Sequence, residues 1–149
     1  MEIKVEIARI EDLTDIARLF GEYRKFYGKE AEPESEKNYV LQRMQAGDSH
    51  LCAARDEKGE IVGFAQCYFT FSSLSMCKVL ILNDLYVSPS ARGRNVAKKI
   101  IEHVIGFSKK EGFRGIALET AASNTIARKI YEDFGFTKDD SFLHYFLKV

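Results

Sequence analysis

Residues 78–100, KVLILNDLYVSPSARGRNVAKKI, carry an apolar strand, a short basic turn and the start of a helix in one run. Lys78–Val87 is so rich in Val, Ile and Leu that it belongs at the centre of a sheet, covered on both faces. Pro89 and Gly93 punctuate the connection SPSARGRN, and Ala97, Ile100, Ile101 and Val104 then mark one helical stripe that closes near Glu111 and Gly112. A strand that enters a helix through a short loop leaves backbone N–H groups unpaired at the helix start. With the positive end of the helix dipole, these form an anion site. Gly93 permits close backbone approach, and Arg92 and Arg94 add local positive charge. The simplest target is a phosphate or pyrophosphate. Neither G-x-x-x-x-G-K-[ST] nor G-x-G-x-x-G is present, so the turn is neither a P-loop nor a dinucleotide fingerprint.

Upstream, residues 2–8 alternate as a half-buried strand, with Ile3, Val5 and Ile7 on one face. From Asp12 the period becomes helical through Leu13, Ile16, Ala17, Phe20, Tyr23 and Tyr27, with Gly28 as the stop. A more polar helix covers Glu34 to Gln45 and stops at Gly47. LCAARD, the turn EKGE and IVGFAQCYFTF form a hairpin. Downstream, GIALET is a short strand, Ser123 or Asn124 caps a helix that stops at Gly135, and FLHYFLKV closes the chain as a strand. Three consecutive strands before the crossover helix imply an antiparallel meander followed by a parallel pair through a right-handed connection. The fold class is therefore α/β in layers (α+β): a mixed, mostly antiparallel central sheet flanked by helices.

At 149 residues and 46% hydrophobic side chains, the expectation is one compact domain spanning 1–149. The 22 basic and 22 acidic residues balance, which argues against nucleic acid or an anionic membrane as partner. No apolar run approaches a bilayer span and the N-terminus is unlike a signal peptide, so a soluble, cytoplasmic protein is expected. Cys52, Cys67 and Cys77 sit in or beside apolar runs and read as small buried thiols; His50, His103 and His144 are scattered, and no metal is expected.

The apolar strand ending LYV, then RGRNVA opening a helix, then a strand, then SNTIARKIYEDFGF, resembles the GNAT superfamily of acetyl-coenzyme A-dependent N-acetyltransferases. Its first motif is [RQ]-x-x-G-x-[GA] and its second N-x-x-A-x-x-x-Y-x-x-x-G-F. Asn124, Ala127, Tyr131, Gly135 and Phe136 match the second at every fixed place. In the first, Asn95 stands at the usual glycine, and Ala97 is an accepted variant. Element order matches along essentially the whole chain.

The resemblance implies that acetyl-CoA is cosubstrate. Its pyrophosphate would rest on the amides of Arg92, Gly93, Arg94, Asn95, Val96 and Ala97. Its pantetheine arm would lie as a pseudo-strand against Leu85, Tyr86 and Val87, with Asn124 reaching it from the other side. Tyr131 would be the acid for the leaving thiolate, and Tyr131 also counts among the cofactor contacts. The backbone N–H of Val87 or a neighbour would polarise the thioester carbonyl. Asp84 and Glu119, near the ends of the two strands flanking the cleft, are both candidates for the base. Asp84 is preferred, because a carboxylate in an apolar strand is costly unless used. Tyr23, Tyr27, Phe69, Phe71 and Tyr145 are candidate walls of the amine pocket. The expected reaction moves an acetyl group to a primary amine of a small molecule or protein by direct attack in a ternary complex. The alternative is a non-catalytic acyl-CoA binding or sensing module of the same fold. Tyr131→Phe separates the two, since only an enzyme loses rate. YRKFYGKE and FLHYFLKV resemble a subgroup of small bacterial or fungal GNAT proteins that pair through terminal strands, which implies a homodimer.

Overall fold

The computed structural model describes residues 2–149. Its centre is a five-stranded sheet in sequential order: β1 (Lys4–Ile7), β2 (Ser49–Arg55), β3 (Ile61–Ser72), β4 (Cys77–Val87) and β5 (Gly115–Ala117). β1 to β4 pair antiparallel, and β5 joins β4 in parallel. Between the strands lie α1 (Leu13–Phe26), α2 (Pro33–Ala46) and α3 (Val96–Lys110). This is the meander and crossover read from the sequence. A mixed, mostly antiparallel sheet flanked by helices, as expected, is the observed fold class.

Strand alternation sends Leu51 and Ala53 of β2, Phe64 of β3 and Tyr86 of β4 to one sheet face. There they bury against Ile16 and Leu19 of α1 and Val40 of α2. Burial of each large aliphatic side chain is worth roughly 1.5–3 kcal/mol, so this cluster fixes where α1 lies. Leu80 and Leu82 of β4 face the other way, toward Val96, Ile100, Ile101 and Val104 of α3, all buried. Two ion pairs tie the periphery down. Arg24 reaches the buried Glu36 at 2.6 Å, joining α1 to α2, and Arg55 of β2 reaches the buried Asp12 at 2.6 Å.

The chain forms two compact units, the first ending at Leu118 and the second comprising Glu119–Val149. The second contains α4 (Thr125–Asp133). The expected final strand is not formed. Residues 142–149 have no regular secondary structure, and Phe142, Leu143, Tyr145, Phe146, Leu147 and Val149 are exposed. FLHYFLKV is a nearly continuous apolar run, and such a run becomes a strand only when a neighbour takes its N–H and C=O groups. Among the described residues no strand pairs with it. No described helix is long and apolar enough to cross a membrane.

Candidate active site

The ladder between β3 and β4 pairs Gln66 with Asp84 but Cys67 with Leu82, so Asn83 is an extra residue, a β-bulge, in β4. The bulge re-aims the strand where the sequence places its one acid. Asp84 follows the parity of Phe64 and Tyr86 and faces α1, only 5% exposed. Asn83 Nδ2 donates to its Oδ1 at 2.9 Å, and the Tyr23 hydroxyl on α1 donates to the Asn83 carbonyl at 3.3 Å. Burial pushes the Asp84 carboxyl above the ordinary range, while hydrogen bonds from Asn83 and Tyr23 act the other way without cancelling it. A carboxyl held in this way is a better proton acceptor than an ordinary surface carboxylate.

Beyond the bulge, no described strand of the sheet pairs with β4 on its β5 side. β5 pairs only with Val79, Leu80 and Ile81, so the edge from Leu82 to Val87 carries no fifth-strand ladder. Ser88 N–H donates to Val62 C=O on β3 at 2.8 Å, and by alternation the N–H and C=O of Val87 and of Leu85 point away from β3, onto that edge. The Val87 carbonyl accepts from Arg92 Nε at 3.1 Å, and the Arg92 guanidinium lies 5.5 Å from the centre of the Tyr86 ring. Arg92 thus fastens the turn to the strand. Tyr86 itself is buried, with its hydroxyl donating to Glu22 at 3.3 Å.

The turn then opens α3 through two left-handed residues, Gly93 (φ 78°) and Asn95 (φ 63°). Asn is the non-glycine residue that best tolerates this region, which accounts for its standing at the motif glycine. The first helical turn closes with Lys99 N–H on Asn95 C=O at 3.1 Å, so the amides of Val96 and Ala97 precede the ladder. The Val96 side chain is buried and anchors that end, whereas Arg92, Gly93, Arg94 and Asn95 are exposed. A Cβ built on Gly93 would meet nothing within 4 Å. An extended, amide-bearing ligand with an anionic end fits this edge and turn.

In the second unit, the motif residues make one capped helix. The Asn124 side chain accepts from Ala127 N–H at 3.2 Å and caps α4, so of the two capping residues read from the sequence Asn124 is the one used. At the other end Gly135 (φ 97°) turns the chain, Gly135 N–H donates to Glu132 C=O and Phe136 N–H donates to Tyr131 C=O. This is a Schellman stop, with Phe136 and Tyr131 in ring contact at 5.8 Å. The fixed spacing of N-x-x-A-x-x-x-Y-x-x-x-G-F is therefore the length of a two-and-a-half-turn helix with both caps written in. Glu119 is exposed, 3.6 Å from His144 Nδ1.

A family model described as the Acetyltransferase (GNAT) family matches residues 13–136. The chain belongs to the GNAT family. An uncharacterised N-acetyltransferase of Bacillus subtilis, YhfO, is 34% identical over 147 residues, covering 99% of this chain and 98% of the relative. An aminoglycoside N(6')-acetyltransferase type 1 of Salmonella typhimurium is 31% identical over 90 residues, covering 58% of this chain and 62% of that one. The crystal structure of a probable acetyltransferase superposes with a TM-score of 0.89 at 36% identity, covering 100% of this chain and 98% of that one.

Within this GNAT chain, sequence reasoning missed several residues that shape the site. Gly63 of β3 leaves little room for a side chain. A Cβ there would lie 3.0 Å from the Tyr86 carbonyl and 3.2 Å from Ile100 and Val96, so its absence lets α3 and its opening turn seat on the sheet. Asn83 gave no bulge signal, since a bulge is a property of two strands. On the face of Asp84, the hydroxyls of Tyr39 (α2) and Tyr68 (β3) hydrogen-bond to each other, and Tyr23 and Tyr27 pack at 5.0 Å between ring centres. Of the aromatic residues expected to wall the amine pocket, Phe69 lies on the opposite sheet face against Phe107 and Phe113, because it is one residue out of phase with Tyr68. Phe71 and Tyr145 are exposed. The GNAT family generally uses acetyl-CoA.

Proposed function

We propose that this protein is an N-acetyltransferase that moves an acetyl group from acetyl-CoA to a primary amine by direct attack in a ternary complex. The observation that carries the reading is the unpaired edge of β4 running from a buried acid, Asp84, into the left-handed turn that opens α3. Leu85, Tyr86 and Val87 would hold the pantetheine arm, and the amides from Arg92 to Ala97, with Gly93, Arg94, Asn95 and Val96 between them, its pyrophosphate. Roles for Asn124 on the arm and for Tyr131 as contact and proton donor stand on the motif to which both belong.

Bound acetyl-CoA supplies an acyl group activated as a thioester. Asp84 takes the proton from the incoming ammonium, leaving a neutral amine as nucleophile. The Val87 amide, which points onto the open edge, donates toward the carbonyl oxygen where negative charge develops. As the C–N bond forms and the C–S bond breaks, Tyr131 gives its phenolic proton to the departing sulfur and is restored by the proton that the new amide nitrogen sheds. Glu119, exposed beside His144, is the weaker candidate base and suits a role in attracting a cationic acceptor. Tyrosines 23, 27, 39 and 68 on the Asp84 side of the sheet favour an acceptor that is an aminated small molecule, as the name of the Salmonella relative also suggests.

The family model runs across both compact units, which supports reading 1–149 as a single domain. Cys52, Cys67 and Cys77 are free thiols, in keeping with a cytoplasmic setting, and neither nucleic acid nor membrane is a partner in this reading. The exposed apolar segment 142–149 suits pairing with a second copy, so we include a homodimer. Sedimentation should give twice the chain mass at micromolar concentration; a monomer throughout the range would remove the dimer.

The test is calorimetric titration with acetyl-CoA of the wild type and of Arg92→Ala, Arg94→Ala. Binding that weakens at least tenfold in the variant supports the pyrophosphate role. Equal binding would refute that role, and no binding to the wild type would refute the acetyl-CoA reading altogether.

A further inference from the structure

On the sheet face opposite Asp84, β2 and α3 bring together three side chains that the proposed reaction does not use. His50 and Cys52 are two apart on β2 and so share a face. His103 comes from the middle of α3. The Nε2 atoms of the two histidines are 3.0 Å apart with ring planes 12° from parallel, and the ligating atoms of His50, Cys52 and His103 all lie within 4.8 Å of one another. His50 is 5% exposed and Cys52 is fully buried. Phe107, one helical turn after His103, covers the His50 ring at 3.7 Å between centres, while His103 is only half-buried and leaves a side open toward solvent.

We propose that His50, Cys52 and His103 form a three-donor site for a divalent zinc-class metal ion that clips α3 to β2. The donor set is one thiolate and two imidazoles, which suits a borderline-soft cation and disfavours magnesium or calcium. Tetrahedral zinc with bonds of 2.0–2.3 Å sets its donors roughly 3.3–3.6 Å apart. The two imidazole nitrogens at 3.0 Å are within a few tenths of an ångström of that, and the set as a whole, within 4.8 Å, closes onto the ion by side-chain rotations of about 1 Å at most. Three protein ligands leave a fourth position for water on the His103 side. Burial, with the neighbouring His103 adding to it, holds the His50 imidazole down at about 4, so it is in the neutral form that ligates. Burial also pushes the Cys52 thiol up to about 12, an opposing cost that a bound dication removes because coordination itself displaces the thiol proton. The competing arrangement is a pair of neutral histidines sharing one hydrogen bond beside an inert thiol.

Cobalt(II) separates the two, because a thiolate ligand gives an intense near-ultraviolet charge-transfer band that histidine and carboxylate sites lack. The full-length protein, stripped with a chelator, is titrated with cobalt(II) and then with zinc(II), following absorbance and melting temperature. The expected result is a saturable band at one equivalent, its displacement by zinc, and a rise in melting temperature with zinc. Both the band and the rise should be lost in Cys52→Ala and in His103→Gln. His103 is half-exposed, so the second variant stays folded even if the first does not. Absence of the band in the wild type, or a zinc-dependent rise that persists in His103→Gln, would overturn the proposal. Neither readout depends on acetyl transfer, so the two proposals fail independently.

Discussion

At the scale of single residues, Asp84 decides most. It is 5% exposed on the face that also buries Phe64 and Tyr86, and the groups that hydrogen-bond its carboxyl, Asn83 and Tyr23, are neutral. A carboxyl whose folded-state value lies above its unfolded one favours the fold when protonated. The favourable contribution is lost as pH rises through the interval between the two values, and above that interval the ionised group opposes folding. Asp84→Asn removes this opposition at neutral pH. Its melting temperature should exceed that of the wild type at pH 7.5, with the difference shrinking as pH falls toward 4. If Asp84 is the base, the same variant loses about 10²–10⁴-fold in kcat and also loses the acid limb of its pH–rate profile. A variant that is destabilised, or that keeps full activity, would remove Asp84 from the role. The residue was legible in the sequence because a lone acid in KVLILNDLYV conflicts with its surroundings. Its orientation was not, since the Asn83 bulge sets it.

At the scale of elements, the junction of β3, β4 and α3 positions the turn that opens α3. Gly63 lies under it with the Tyr86 carbonyl, Val96 and Ile100 already at contact distance of an added Cβ. Gly63→Ala makes the helix start or the Tyr86 backbone give way by a few tenths of an ångström and should cost about 1–3 kcal/mol, measured by denaturant unfolding with an unchanged m-value. Acetyl-CoA affinity should fall with it, because Val96 both anchors α3 and supplies one of the turn amides. Unchanged stability would mean that α3 seats by other contacts. The helices were readable from their stripes and stops: Gly47, Gly112 and Gly135 each take positive φ where the sequence ended a helix. Gly63 was not readable. A glycine inside a strand announces a close approach without naming the partner, and that partner is a helix more than thirty residues away.

At the scale of the whole molecule, balanced charge conceals how unevenly the ion pairs are spent. Arg55 and Asp12 are paired and nearly buried, joining β2 to the start of α1. Burial alone would raise the Asp12 carboxyl, but Arg55 and the Arg9 amide outweigh it and hold it below its usual range. Such a group stabilises the fold fully above its unfolded value, and that contribution is lost as pH falls through the lowered folded value. Asp12→Asn should therefore cost about 3 kcal/mol at neutral pH and flatten the acid limb of the stability curve, followed by thermal unfolding from pH 7 to 2. A parallel offset at every pH would refute this linkage.

The sequence by itself determined the order and type of nearly every element, the basic glycine-bearing turn that opens α3 and the doubly capped helix around Tyr131. These are local matters: period, capping and chain stops are settled by residues within a few positions of one another. Tertiary structure alone decided the rest. It placed the Asn83 bulge, ended the β4–β5 ladder at Ile81, put Phe69 on the face away from Tyr23, brought His50 to His103, and left FLHYFLKV without a strand partner among the described residues. Each of these depends on which backbone groups find partners across the sheet and which faces helices cover, and no single segment carries that information.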